Sequence, residues 1–324
     1  MDDGEGGASG GAGDQHDGPW TAEELAVLYR VELGAGGKPN ELQAEVVAQL
    51  RALVDPDIER LHSSRRPEVT GDLRLLKFLM GYNFDVAAAA QAFRDMLEWR
   101  AETGRDAILE RIHAEGITGD DDLPFAEEVT RYLPARMLHG HDKLGNTLSL
   151  EYTGLIDVRG IVESVERSHL LEWNAYHLEL KSILHERGSV ERGRLVRATN
   201  IRDASGLSMA HLWGPALDLF KQVISSSQKA YPELLDKVLI VNAPWVFTLA
   251  WKLVRGWLHP RTQAKIHILG ADFQEVLLRY VDADNLPPRL GGTCTKCEAR
   301  GGCVPVPDDL RADMRMVAVE GARG

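Results

Sequence analysis

Apolar positions three to four residues apart dominate the first third of the chain. Residues 73–80 form a dense apolar run. Asp85 follows at a position where its side-chain oxygen can accept from a free helix N–H. Behind it, Val86, Ala89, Phe93, Met96, Leu97 and Arg100 keep helical spacing and predict one amphipathic helix. Residues 20–54 read as weakly helical, interrupted by Gly34, Gly36 and Gly37. The pattern predicts a small helical module over residues 41–116.

Near Leu133 the period changes. In ARMLHGHDKLGNTLSLEYTG a turn cluster at residues 142–146 separates two short apolar segments and predicts a hairpin. One long helix is expected over residues 160–185, then a strand in RLVRATNIRD. SMAHLWGPALDLFKQVISS places Met209, Leu212/Trp213, Ala216/Leu217, Phe220 and Val223/Ile224 on one helical face. Short strands follow at 237–241 and 265–269. DFQEVLLRYV reads as the last helix, and LPPRLGG ends the periodic region. Strands alternating with helices after an all-helical start predict an α/β fold behind an N-terminal helical cap.

Between the last two strands, residues 245–258 break both periods. They hold three tryptophans and almost no polar face. From Lys237 to Ala271 the charged residues are Lys237, Lys252, Arg255, Arg261 and Lys265, with no acid, in a chain of formal net charge -12. A helix buried on all sides, with Lys252 and Arg255 reaching outward, would carry this composition. So would a helix that closes over an apolar ligand and partitions into a bilayer interface. Tryptophan favours that interface, and each Lys or Arg near anionic lipid contributes about 1 kcal/mol.

Composition narrows the function. The chain has 324 residues, 44% hydrophobic and 27% charged, enough for a real core. The acidic balance argues against nucleic acid. Residues 1–18 carry five acids, seven glycines and no Lys or Arg, which predicts disorder. The longest uncharged run, 238–251, has 14 residues, short of the roughly 20 of a membrane span. No signal peptide is read at the N-terminus. A cytoplasmic protein with at most peripheral membrane contact is expected. GEGGASGGAG follows no strand, and no phosphate loop is present. No enzyme and no cofactor are therefore expected.

His139 and His141 read as a solvated turn rather than metal ligands. Cys294, Cys297 and Cys303 could ligate zinc with a fourth ligand from elsewhere. The favoured reading is a reduced, loop-forming tail without metal.

Over residues 41–293 the sequence resembles the CRAL-TRIO lipid-binding family, including its yeast-type phosphatidylinositol/phosphatidylcholine transfer proteins. The resemblance rests on LLKFLMGYNFDVAAAAQAFRDMLEWR, DKLGNTLSLEYTG, IRDASGLS, YPELLDKVLIVNAPWVFTLAW, HPRTQAKIHILG and DNLPPRLGGTC, in that order. It implies an N-terminal helical cap and an α/β lipid-binding domain with a mixed sheet and a mobile gate helix after VNAPW. The expected division is a head and weak helix (1–40), a helical module (41–124), a lipid domain (125–293) and a cysteine-containing tail (294–324).

The resemblance assigns gate and cavity roles to Trp245, Phe247, Leu249, Trp251, Val254, Trp257 and Leu258, with Lys252 and Arg255 touching the membrane. It assigns an inositol-phosphate headgroup to Glu233, Thr262 and Lys265. Lys265 would donate to phosphate, Thr262 would supply a hydroxyl, and Glu233 would accept from inositol hydroxyls. Two sets of departures stand out. Leu234, Met80 and Tyr82 occupy positions where the family commonly has arginine. Ser149 replaces a tyrosine, and Ala198 and Asn200 replace hydroxyl residues of a choline site. The expected function is exchange of single phosphatidylinositol-type lipids with anionic membranes, with Lys265 as the one remaining headgroup cation. A carrier of a tocopherol-, retinoid- or sterol-like molecule, or a lipid-dependent regulatory scaffold, are the alternatives.

Overall fold

Helix follows helix up to residue 115 in the computed structural model, which describes residues 20–61, 65–298 and 302–304. The head expected to be disordered lies outside the described residues. The first helices are α1 (Ala22–Leu28), α2 (Glu41–Leu61), α3 (Pro67–Thr70), α4 (Asp72–Gly81), α5 (Val86–Thr103) and α6 (Arg105–Glu115). Thr21 and Glu24 form a reciprocal cap on α1, satisfying two otherwise free N–H groups. Asp85 Oδ1 accepts from Ala88 N at 2.9 Å and starts α5, as its position predicts. The dense apolar run is α4, whose Leu75, Leu76, Phe78, Leu79 and Met80 are all buried among α2 and α5.

A short helix, α7 (Ala126–Thr130), leads into the sheet. The predicted hairpin is β1 (Ala135–His141) and β2 (Thr147–Glu151), paired antiparallel. The expected single helix over 160–185 is two: α8 (Val158–Ser164) and α9 (Arg167–Arg192). Val165 and Glu166 between them are extended, a break without a Gly or Pro to announce it. Gly193, in the left-handed region at φ 63°, ends α9. Next come β3 (Ala198–Asp203) and α10 (Gly214–Ala230). The helical face expected from Met209 is cut short. Residues 209–212 form one 3-10 turn, Trp213 is extended, and Pro215 sits in the first turn of α10.

β4 (Leu235–Val241), α11 (Phe247–Val254), α12 (Pro260–Gln263), β5 (Ile266–Ile268) and α13 (Phe273–Tyr280) complete the order. The strands lie in sequence order, β1-β2-β3-β4-β5, antiparallel only at β1–β2, so the sheet is mixed as expected. Strand residues alternate between faces. Leu148, Leu150, Ile201, Leu239 and Val241 pack with Phe273 and Leu277 of α13 and with Cys294, Cys303 and Val304. Ser149 lies opposite Asn200, and Asn200 opposite Val238, on the other face.

The helical part is joined to α9 through a buried ion pair. Arg100 Nη1 donates to Glu179 Oε1 at 2.7 Å, and Tyr231 Oη donates to the same carboxylate. Arg100 Nε also donates to Asp106 Oδ1 at 2.7 Å, whereas Glu179 is 0% exposed, so removing Arg100 would leave a buried carboxylate without its cation.

Candidate ligand-binding site

Glu233 sits between Pro232 and the start of β4 with φ 55°, a left-handed conformation that costs a non-glycine residue on the order of 1–3 kcal/mol. The kink accompanies a buried carboxylate with three cationic partners. Lys265 Nζ donates to Oε2 at 2.8 Å, and Arg197 Nη2 lies 3.2 Å from the same oxygen. Arg261 donates to Oε1 from Nε at 3.1 Å and from Nη2 at 2.8 Å. Burial pushes the Glu233 carboxyl up, but Arg197, Lys265 and Arg261 outweigh it and hold it at about 2. Burial pushes the Lys265 ammonium below its ordinary value, against the pull of Glu233. A further acid, Asp236, lies 3.8 Å from Arg197 Nη1 and pairs with Lys237. Three cations on one carboxylate leave positive charge for an anion to meet.

The helical part closes one side of this cluster. Arg261 lies over the Tyr29 ring, 4.8 Å from its centroid, and Nη1 donates to Tyr29 Oη at 3.2 Å. Tyr29 Oη in turn donates to Asn83 Oδ1 at 3.0 Å.

Of the predicted headgroup residues, Glu233 and Lys265 are in direct contact. Thr262 lies half-buried beside Arg261 on α12. The expectation that Lys265 is the one remaining cation is corrected. Arg197, at the entry to β3, has its Nη2 4.0 Å from Met80 Sδ. It thus brings a guanidinium to the side chain that stands in place of the family's arginine. Arg261 adds another. Arg197 had one weak signal, a charged residue inside the buried run Leu195, Val196, Ala198. Arg261 lies in the HPRTQAKI motif, among the cations of the acid-free stretch. Leu234 packs against the apolar core of the helical part, so an arginine there would compete with that core.

None of the residues of α11 is buried, which removes the reading of a helix enclosed on all sides. Burial instead sorts its apolar residues by face. Phe247, Trp251, Val254, Trp257 and Leu258 are half-buried at helical spacing, toward the protein. Leu249, Lys252, Leu253 and Arg255 face outward, with Leu253 46% exposed. Trp245, expected among the gate and cavity residues, is 75% exposed. It precedes α11 and belongs to the outward face.

Phe247 alone of α11 joins the apolar cluster on Val238 and Ile240. On α10, Leu217, Phe220, Val223 and Ile224 are likewise only half-buried. Two glutamines hold the far end of α11. Gln228 Nε2 donates to Trp257 O at 2.9 Å, and Gln263 Nε2 to Leu258 O at 3.0 Å. At the near end Asn242 is left-handed, φ 52°, and donates to Asp203 Oδ1 at 2.9 Å.

Along β2 and β3 the sheet face on this side is polar, whereas β4 presents Val238 and Ile240. Lys181 of α9 donates to Ser149 Oγ at 3.0 Å, and Arg202 pairs with Glu151 at 3.5 Å while lying 6.0 Å from the Phe220 ring centroid. Burial pushes the Lys181 ammonium down to about 8. Asn200 Oδ1 is buried without a hydrogen-bond partner among the described residues. Ala198, two residues earlier on β3, is buried.

The three cysteines are unpaired and lie outside helices and strands, as expected, but their burial and that of His139 depart from expectation. His139 is partly buried on β1, not in a solvated turn, and Cys294 and Cys303 are buried in the core against α13. The four side chains converge. His141, next but one on β1, is exposed and outside this group.

Comparison with known proteins agrees with this architecture. A CRAL/TRIO domain model matches residues 135–292. The SEC14 cytosolic factor of Eremothecium gossypii is 30% identical over 295 residues, covering 87% of this chain and 88% of that protein. A phosphatidylinositol/phosphatidylcholine transfer protein of Arabidopsis thaliana, SFH4, is 33% identical over 233 residues, 71% of this chain but 36% of that protein. The chain therefore spans little more than a third of that relative's length. The crystal structure of Sfh5 superposes with a TM-score of 0.55 at 18% identity, over 78% of this chain and 88% of that one, and shares the fold. The chain belongs to the CRAL/TRIO family. Among the described residues no helix is long and apolar enough to cross a membrane.

Proposed function

We propose that this protein binds single phospholipids, phosphatidylinositol-type first, and exchanges them with membranes. The acyl chains lie between the apolar β4 part of the sheet face, at Val238 and Ile240, and the half-buried apolar sides of α10 and α11. The inositol phosphate meets Arg197, Arg261, Lys265 and Thr262, and Glu233 accepts from inositol hydroxyls. The chemistry is burial, not bond-making. Each CH₂ transferred from water contributes about 0.8 kcal/mol, offsetting the cost of opening the gate. The protein works from the cytoplasm as a peripheral visitor to anionic membranes, docking through Trp245, Leu249, Lys252, Leu253 and Arg255. No nucleic acid and no catalytic step enter this reading.

One observation carries it: α11, acid-free and with no buried residue, lies in a segment with three tryptophans and meets the sheet face at Val238 and Ile240 through Phe247. Names of the relatives, which include phosphatidylinositol/phosphatidylcholine transfer proteins, support the ligand class. The test is transfer of labelled phosphatidylinositol between vesicles. Transfer above the spontaneous rate supports the reading. Its absence, with a sterol or tocopherol carried instead, replaces it with the hydrophobic-carrier reading.

The second ligand is where the sheet face matters. A buried Lys181 ammonium beside Ser149 repels a choline cation and suits a phosphate or carbonyl oxygen. We therefore place phosphatidylcholine behind acidic or neutral lipids as an alternative occupant.

A further inference from the structure

We propose that His139, Cys294, Cys297 and Cys303 form a structural zinc site that fastens the C-terminal segment to β1. Their donor atoms all lie within 4.8 Å of one another. The cysteines are unpaired in the structure, so no disulfide accounts for the gathering. A tetrahedral zinc ion with bonds of about 2.3 Å to sulfur and 2.0–2.1 Å to nitrogen separates S from N by about 3.6 Å, and S from S by about 3.8 Å. Cys297 Sγ stands 3.7 Å from His139 Nδ1, close to such an edge.

Separate features of the chain build this arrangement. Cys294 and Cys297 have the two-residue spacing of a zinc turn. Gly291 is left-handed at φ 85°, and a Cβ on Gly292 would stand 2.1 Å from the Leu286 carbonyl oxygen. This pair of glycines lets the chain turn back, so that Cys294 N donates to Leu286 O at 2.9 Å. Gly302 N donates to Cys297 O at 2.9 Å and returns the chain toward Cys303. His139 falls in the stretch of β1 between Arg136 and Gly140 where pairing with β2 shifts register. Such a bulge re-aims a side chain.

The ligand chemistry discriminates among metals. Three thiolates and an imidazole suit zinc, whereas calcium and magnesium take oxygen. Four protein ligands leave no open position, so the site is structural. Three thiolates, a neutral imidazole and a dication carry one net negative charge. Arg136 and Lys296, each paired with an acid, Asp121 and Asp284, are the cations whose charges act on His139. The metal would cross-link residues on both sides of the core against α13, where Cys294, Cys303 and Val304 pack on Leu148 and Leu150. This face of the sheet is opposite the proposed lipid side, so the zinc and the lipid are independent.

Metal analysis of the full chain, purified without chelator, tests the site. One zinc per chain is expected, released when a mercurial thiol reagent is added and read by a chromogenic chelator. Cobalt exchanged into the protein should give the visible ligand-field bands of a tetrahedral thiolate site. Cys303→Ser and His139→Asn should each lower zinc retention against a competing chelator at least about tenfold. Zinc below about a tenth of an equivalent, with no cobalt uptake by the reduced chain, overturns the site outright. So does stoichiometric zinc that both variants keep, which places the metal elsewhere. Because the first measurement uses the unaltered protein, a variant that fails to fold leaves the result decisive.

Discussion

Arg197 and Met80 meet side chain to side chain, Nη2 standing 4.0 Å from Sδ. The contact joins two positions 117 residues apart. In the CRAL/TRIO pattern an arginine is common where Met80 stands. Here Arg197, at the entry to β3, reaches the Glu233 carboxylate that Lys265 also meets. A cation brought in by the fold is invisible to a residue-by-residue comparison. It changes what the headgroup variants should do.

Lys265→Ala should weaken phosphatidylinositol transfer rather than abolish it. A charge-assisted hydrogen bond contributes about 1.5–3 kcal/mol, so a loss of roughly tenfold to a hundredfold is expected. Arg197→Ala should fall in the same range. The double variant should transfer no phosphatidylinositol above background. Vesicle transfer assays with melting curves as a folding control decide this. Full transfer by the double variant would sink the headgroup assignment.

Much of the architecture is legible because it is local. The Asp85 cap, the apolar run of α4, the hairpin turn and the core strands each announce themselves within a dozen residues. The break between α8 and α9 does not, since Val165 and Glu166 are ordinary helix residues held extended by their surroundings. The site was legible only in part. Glu233 and Lys265 each lie in a recognisable motif, YPELLDKV and HPRTQAKI, but Arg197 acts through the fold. His139 and the cysteines are about 160 residues apart in sequence, and only sheet pairing and the Gly291–Gly292 turn bring them together. For α11, hydropathy shows no polar face, whereas burial shows two distinct faces.

Lys252 and Arg255 lie on the exposed side of α11, so their reversal should spare folding. Lys252→Glu with Arg255→Glu should slow lipid exchange with anionic vesicles about tenfold or more, if each cation contributes about 1 kcal/mol and the new acids repel the surface. Tryptophan emission of the unaltered protein should shift on adding anionic vesicles, less so as salt rises. Trp245→Ala should diminish the shift. Unchanged exchange by the double variant would move docking to another surface.

Acid should weaken the fold through Glu233. Its folded-state carboxyl, held at about 2, is depressed below the unfolded value of about 4.3. The stabilisation is therefore complete above about pH 4.3 and is lost as pH falls toward 2, a contribution of roughly 3 kcal/mol. Glu233→Gln should be less stable at pH 7 by a similar amount, leaving three cations facing one another. Its stability should also fall less steeply between about pH 4.3 and 2. Denaturant titrations across that range check both. Parallel acid limbs in parent and variant would show that the carboxylate is not coupled to its cations.

Lys181 works in the opposite direction. Its ammonium, buried on α9, is pushed down to about 8, chiefly by burial, with Asp120 and Glu151 pulling up and Arg202 pushing down. A lowered folded-state value means the charged form opposes folding. Stability from this group alone should rise as pH passes from about 8 toward the unfolded value near 10.4. Lys181→Met removes a buried charge whose hydrogen-bond partner is Ser149, and Ser149 Oγ keeps its own bond to Met137 O at 2.7 Å. The variant should be more stable at pH 7 by about 1–3 kcal/mol and should lose the alkaline rise. If the ammonium serves an acidic or carbonyl ligand, that gain comes with a change of cargo. Native mass spectrometry should find less acidic phospholipid in the variant than in the parent. A variant that is less stable and carries the same lipid would mean that Lys181 is a structural tie between α9 and β2, and that the sheet face does not choose the ligand.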